Sequence, residues 1–286
     1  MELDTMSSGE IVRLMNREDF NVAAAVKEAV PEIARTADQV ADCIRNGGRL
    51  FYTGAGTSGR LGILDASEWP PTFGVAPGTA VGLIAGGRAA VTSMVEDAED
   101  DSEAGKNDLI SHGLTAADMV IGIAASGNTP YVCGALEYAK SLGCRTASVS
   151  CCKGGRIGEI AGISIEVDAG PEVLTGSTRL KAGTATKMIL NMISTAAMVR
   201  LGKVYENLMV NVIQSNQKLR GRTVRIVSEA TGEEEEKAKE ALTMAGGNAR
   251  TAIVMLMTGY TREEAEKALT EKNGSIRRVR EDYGRK

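Results

Sequence analysis

The sequence predicts a doubly wound parallel α/β sheet followed by a small helical module. Three observations predict it: short strand-like apolar runs alternate with helical stretches, glycine-rich turns follow several of those runs, and the composition past Lys218 turns polar and helical. A chain of 286 residues with 43% apolar composition is long enough for one large domain and an appendage. We read residues 1–46 as N-terminal helices packing on the core, 47–217 as the sheet domain including a long helix, and 218–286 as a helical module of possible UBA/CUE type.

Residues about 8–46 read as two helices, the second from Val22 to Arg45 and closed by Gly47-Gly48. Arg49 to Thr53 is a first strand, followed by Gly54-Ala55-Gly56-Thr57-Ser58-Gly59 and a helix expected to stop before Pro70-Pro71. Val81 to Ala85 is a second strand, with a helix over about 87–105 that ends in an acidic run. Met119 to Ile123 is a third, and Thr129-Pro130 is a strong helix start after it, the threonine as N-cap and the proline at the first helical position. Thr146–Ser150 and Ile163–Val167 complete the strands. A loop from Gly170 to Thr178 then opens a helix to about Leu201, apolar nearly all round and so expected to be buried on several sides. In the last module, Ala241-Leu242-Thr243 and Ala268-Leu269-Thr270 stand in matching contexts, as do Gly247 and Gly274, which suggests two related helix–turn units. Such a module reads as a packing cap or assembly support ahead of a protein-binding bundle.

Composition removes whole classes of chemistry. The first ten residues lack a basic run followed by an apolar stretch, and no segment reaches ~18 uninterrupted apolar residues, so a cytoplasmic protein without a membrane contact is expected. Five cysteines without CxxC spacing fit neither a disulfide framework nor a zinc site. Triads and most zinc sites need a positioned imidazole, and the single histidine, His112, stands before Gly113 where it complements a helix end. We therefore expect no metal, and acid–base work falls to Glu, Asp, Lys, Tyr or Cys. A net charge of -4 with few aromatics argues against nucleic acid.

The Gly54 to Gly59 run fits G-x-G-x-x-G, the dinucleotide fingerprint. That fold also needs an acidic residue ~20 positions on to hold the ribose hydroxyls. Here the second strand ends Ala85-Gly86-Gly87 with no acid, so no redox cofactor is expected. What remains is a phosphate grip assembled from several loops. Helix N-termini offer free N–H groups and partial positive charge, and small hydroxyl residues add donors without blocking approach. Gly56-Thr57-Ser58-Gly59 and Ser126-Gly127-Asn128-Thr129 fit, and both should lie at the carboxyl edge of the sheet; Gly176-Ser177-Thr178-Arg179, before the long helix, adds to them.

The stretch from Gly54 to Glu68, with Pro70-Pro71-Thr72-Phe73-Gly74, resembles the N-acetylmuramic acid 6-phosphate etherases. So do Gly82 to Gly87, Ile123 to Gly127, and Gly170 through Val210. That family belongs to the sugar isomerase (SIS) fold, and the same motifs occur in the glucokinase regulatory protein, which has two such domains where this chain has room for one. The resemblance implies a lyase acting on a phosphosugar: removal of the D-lactyl ether of N-acetylmuramic acid 6-phosphate by elimination and then hydration, in a homodimer. It places the two catalytic glutamates at Glu68 and Glu99, with Thr57, Ser58, Gly59, Ser126, Gly127, Asn128, Thr129, Ser177 and Lys181 holding phosphate and sugar. A carboxylate at a helix C-terminus faces the negative end of the dipole, and the expected stop at Pro70 would put Glu68 there as a proton donor. On helical projection alone, Glu99 and Asp101 flank the same apolar face and geometry does not choose between them; the motif chooses Glu99. Three departures stand out: Trp69 for the family's usual Cys, Asp97 for its Gly, and Cys151-Cys152-Lys153 for a Ser-Cys-Asn-Pro-like run. The alternatives are a non-catalytic sugar-phosphate sensor and an aldose–ketose isomerase of the same fold.

Overall fold

A computed structural model describes residues 2–211 and 217–284. They fall into two compact units, one ending its two stretches at Ser67 and Ala196, the other comprising Glu68–Pro77 and the chain from Ala197 onward. The division thus falls within two helices rather than between elements. The boundary read at residue 217 from composition adjoins residues 212–216, which lie outside the described ones.

The first unit opens with α1 (Ser8–Glu28), whose Ser7 and Glu10 form a reciprocal capping box, and α2 (Val30–Arg45). The second helix starts eight positions later than the expected Val22, because the apolar stripe of α1 continues through Val22 and Val26 and the break comes at Ala29, ahead of Pro31. Five strands follow: β1 (Leu50–Gly54), β2 (Ala80–Ile84), β3 (Met119–Ile123), β4 (Arg145–Ser150) and β5 (Ile163–Glu166). They pair in parallel in the order β2-β1-β3-β4-β5. As expected, the sheet is doubly wound, and its order reverses between β1 and β3, where Gly54 lies opposite Ile123. Ligands of such sheets bind outside the strand ends at that switch point.

The helix after β1, α3 (Gly56–Phe73), does not stop at the prolines; it carries Pro70 and Pro71 in its last turn. Prolines cannot donate to the carbonyls a turn earlier, but they do hold a helical φ, and the helix closes with the Gly74 N–H on Pro70 O at 3.0 Å. The helix expected over 87–105 is also absent. Short 3-10 segments stand at Gly87–Val91 and Ala98–Asp100, and α4 begins only at Ser102 and ends at Ser111. Gly86 (φ +83°), Gly87 (φ +63°) and Asp97 (φ +56°) are left-handed, which breaks any continuous right-handed helix. The remaining connections of this unit are α5 (Pro130–Ser141), α6 (Arg156–Ile160) and α7 (Lys181–Arg200). Tyr131, Val132 and Leu136 of α5 pack with Phe51 and Val120 of the sheet and Leu109 of α4. On the opposite face, Tyr52 donates to the buried Asp65 of α3 at 2.9 Å, and Ser194 of α7 donates to the same carboxylate at 2.9 Å. The α7 helix buries Ile189, Leu190 and Ile193 but leaves Met192 38% exposed, so its burial within the described chain is one-sided.

The second unit holds α8 (Gln217–Thr231), α9 (Glu235–Met244), α10 (Ala249–Thr258), α11 (Arg262–Glu271) and α12 (Ile276–Tyr283) around Val227, Leu242, Ile253, Leu269 and Ile276. The sequence repeat is visible in its joints. Gly247 and Gly274 close their helices on Leu242 O and Leu269 O at 2.8 and 2.7 Å, and Asn248 and Ser275 then cap the next ones. Trp69, of the Glu68–Pro77 stretch, is 1% exposed, a packed core side chain.

Candidate phosphosugar site

The loops after β1 and β3 emerge side by side. After β1 the chain enters α3 at Gly56, so Thr57 and Ser58 sit in the first turn, where N–H groups lack intrahelical partners. After β3, Gly127 takes φ +71°, and a side chain there would stand 2.8 Å from the Gly155 backbone. Only glycine meets both demands. The loop is fastened to the next one along: the Ile157 N–H donates to Gly127 O at 3.0 Å, the Arg156 N–H to Asn128 Oδ1 at 3.1 Å, and the Cys152 thiol to Ser126 O at 2.9 Å. Ser126 Oγ accepts from the Asn128 N–H at 3.3 Å, which leaves its hydroxyl hydrogen to donate outward. Thr129 is the N-cap of α5 with Pro130 behind it, as expected, and its side chain makes no capping hydrogen bond.

Beside these loops, a cleft of about 570 Å³ is walled by Thr57, Arg60, Met94, Glu96, Glu99 and Thr178, among others. It therefore gathers Thr57, Glu99 and the neighbour of Ser177. Asp101 does something else: its carboxylate accepts the Ala104 N–H at 2.9 Å as the N-cap of α4. The projection that set Glu99 and Asp101 on one helical face fails because there is no helix there, and the two carboxylates are now distinguished by what they touch. Asp97, where the resemblance expects Gly, is the left-handed residue that turns the chain into the Glu99 segment. Asp tolerates that conformation better than most side chains.

Two expected residues are placed differently. Glu68 belongs to the second unit, exposed on α3 and well before its end at Phe73, so the helix-terminus argument for a proton donor does not hold. Lys181 is buried, and its ammonium is committed to Glu18 at 3.1 Å and to the Ala169 carbonyl at 2.8 Å. Glu172 moreover caps α7, taking the Lys181 and Ala182 N–H groups at 2.9 and 3.0 Å, so that helix start is already occupied by a carboxylate. Among the described residues, no three His, Cys, Asp or Glu side chains converge as metal ligands. The cysteines are free thiols; burial pushes Cys43, Cys144 and Cys151 up to about 11, and Cys152 upward as well.

Sequence reasoning missed two residues. Arg60 lines the cleft and donates to three backbone carbonyls: Nε to Val91 at 2.9 Å, Nη2 to Ala90 at 2.8 Å and to Ser93 at 3.0 Å. Asp65, besides Tyr52 and Ser194, accepts from Asn191 Nδ2 at 3.0 Å and so ties β1, α3 and α7 together. Both stand inside the Gly54–Glu68 motif, but nothing in the spacing says which distant carbonyls or hydroxyls they meet.

Residues 32–140 match the model of the glucokinase regulatory protein N-terminal SIS domain. Among solved structures, the chain resembles a phosphoheptose isomerase from Francisella tularensis (TM-score 0.52, 19% identity, 66% of this chain and 100% of that one). It resembles another from Neisseria gonorrhoeae to the same degree (TM-score 0.52, 16% identity, 67% and 99%). These likenesses establish the fold. Over full length, it is 54% identical to N-acetylmuramic acid 6-phosphate etherase of Geobacillus sp. (strain WCH70), covering 97% of this chain and 94% of that one. It is 53% identical to the enzyme of that name from Cronobacter sakazakii, with 97% and 93% covered. The chain belongs to the N-acetylmuramic acid 6-phosphate etherase family.

Proposed function

We propose that the protein cleaves the D-lactyl ether of N-acetylmuramic acid 6-phosphate, giving N-acetylglucosamine 6-phosphate and D-lactate. The observation that carries this reading is identity above half over nearly the whole chain to etherases. In the open-chain aldehyde, the carbonyl acidifies the proton on carbon 2. One glutamate removes that proton; its electron pair forms the carbon 2–carbon 3 double bond as the carbon 3–oxygen bond breaks. The departing lactate oxygen takes a proton from an acid. Water then adds at carbon 3 while carbon 2 is reprotonated. Glu68 and Glu99 supply the acid and the base.

The phosphate is held by Thr57, Ser58 and Gly59 at the start of α3, and by Ser126 to Thr129 ahead of α5, with Ser177 completing the grip. A helix start binds anions through free N–H groups, and the hydroxyls of Ser126 and Thr129 add donors. Lys181 contributes through its pair with Glu18, which fastens the start of α7, rather than as a free cation. The protein works in the cytoplasm as a homodimer; no helix among the described residues is long and apolar enough to cross a membrane. An apolar groove of about 620 Å³ in the first unit, between α2 and α7, supports self-association; Val30, Ile33, Met188 and Met192 line it. Light scattering on dilution should show a dimer, and a persistent monomer would remove that part. The C-terminal helices, read as residues 218–286, serve as a packing and assembly module.

Incubation with N-acetylmuramic acid 6-phosphate and assay of D-lactate tests the activity. Release of D-lactate is expected. Binding without release would make the protein a sugar-phosphate sensor, and sugar interconversion without lactate would make it an isomerase.

A further inference from the structure

We infer that Arg60 is a positioning residue that ties the first turn of α3 to the segment carrying Glu99, so that phosphate grip and proton transfer hold a fixed relation. The inference rests on the assignment of Glu99 made above. Arg60 follows Thr57, Ser58 and Gly59 directly, in the turn proposed to cradle the phosphate. Its guanidinium crosses to a stretch some 30 residues later and meets Ala90, Val91 and Ser93 at 2.8, 2.9 and 3.0 Å. Beyond Ser93 the chain runs to Glu99 through exposed Met94 and Val95 and the left-handed Asp97. Among the described residues, the backbone hydrogen bonds of this stretch are local, Thr92 and Ser93 to Ala89 O and Asp100 to Asp97 O, so its link to the core beyond them is the apolar packing of Ala90 and Ala98. Arg60 supplies a long-range polar tether.

The arrangement also argues against Arg60 as a ligand clamp. A guanidinium has five N–H donors, and bidentate recognition of a phosphate or carboxylate uses two adjacent ones. Here Nε is bonded and both Nη2 hydrogens are directed at carbonyls, which consumes both members of the Nε–Nη2 edge and one member of the Nη1–Nη2 edge. Only Nη1 is left uncommitted among the described residues. Lysine could not reproduce the tether, since a single ammonium lacks the rigid fork that reaches three carbonyls.

The test is steady-state kinetics together with hydrogen exchange on Arg60→Ala and Arg60→Lys. A misplaced general acid–base group is expected to lower kcat about 10²-fold in Arg60→Ala. KM should stay within about threefold, since no ground-state contact is lost. Arg60→Lys should fall between it and wild type, added guanidinium should recover part of the Arg60→Ala loss, and amide exchange should speed up over residues 88–100 but not over the strands. A KM that rises as far as kcat falls would make Arg60 a ligand contact, and unchanged kcat and exchange would abolish the tether; either overturns the inference. Faster exchange across the whole sheet would reduce Arg60 to a fold-stabilising residue, which also overturns it; should Arg60→Ala fail to fold, the same readouts on Arg60→Lys decide. If wild type itself releases no D-lactate, the activity reading fails, whereas local exchange over 88–100 still judges the tether on its own.

Discussion

The loop after β3 and the segment after β2 stand at the same edge of one sheet, yet they are held in opposite ways. The β3 loop is fixed through its main-chain carbonyls: Gly127 O and Ala125 O each accept a backbone N–H of the neighbouring 151–157 stretch at 3.0 Å, and Ser126 O accepts the Cys152 thiol at 2.9 Å. The polar hold on the segment after β2 comes from the Arg60 side chain and short local turns, beside the packing of buried Ala90 and of Ala98 against the core. The contrast teaches a division of labour. A grip on a constant group such as phosphate is best built from rigid main chain, whereas a segment that must bring a carboxylate to a reacting carbon can be adjusted through a few side chains.

Five variants would break or sharpen that contrast. The largest effect belongs to the side-chain-held segment: Glu99→Gln should lower kcat by ~10²–10⁴-fold with the fold intact, as for loss of a general acid–base group, while Asp101→Asn should cost less than about 1 kcal/mol of stability, since Asn caps a helix about as well as Asp. Near-full turnover in Glu99→Gln with none in Asp101→Asn would reverse the assignment. Next comes the rigid side. Gly127→Ala should destabilise the protein by about 2–4 kcal/mol in denaturant unfolding, from a left-handed φ plus the clash with Gly155. An unchanged midpoint would show that the loop is as adaptable as its counterpart. Ser126→Ala should weaken substrate affinity by ~1–3 kcal/mol and leave kcat nearly alone; titration with a non-reacting sugar phosphate reads it directly. The smallest shift is Asp97→Gly, expected within about 1 kcal/mol of wild type, since relief of the left-handed φ is offset by the entropy glycine loses on folding. A loss of several kcal/mol there would mean that the Asp97 carboxylate has a role of its own.

The same contrast explains what the residues disclosed in advance. Five strands, their parallel doubly wound class and the Thr129-Pro130 helix start were legible because each rests on local pattern: apolar runs alternating with helices, glycine turns, a capping residue before a proline. The glycine-bearing loops after β1 and β3 were legible as turns for the same reason. The acidic segment was not. Its spacing of Val91, Met94, Val95 and Ala98 suits a helix, but Gly86, Gly87 and Asp97 enforce left-handed turns, and the tether that shapes it comes from Arg60 far back in the chain. Pro70-Pro71 misled because prolines forbid donation, not helical φ, and α3 absorbs them in its last turn. Lys181 was set on the phosphosugar by the resemblance alone, and nothing near it in sequence announces Glu18, its partner across 163 positions.

The central claim is a lyase that eliminates lactate and then hydrates the unsaturated sugar, and one isotope measurement addresses it. Wild-type protein is incubated with N-acetylmuramic acid 6-phosphate in deuterated, 18O-enriched water, and both products are read by mass spectrometry. Elimination and hydration predict deuterium at carbon 2 and 18O at carbon 3 of N-acetylglucosamine 6-phosphate, with no 18O in D-lactate. Lactate that carries the 18O, with a sugar free of deuterium, would show direct cleavage on the lactyl side and contradict the account.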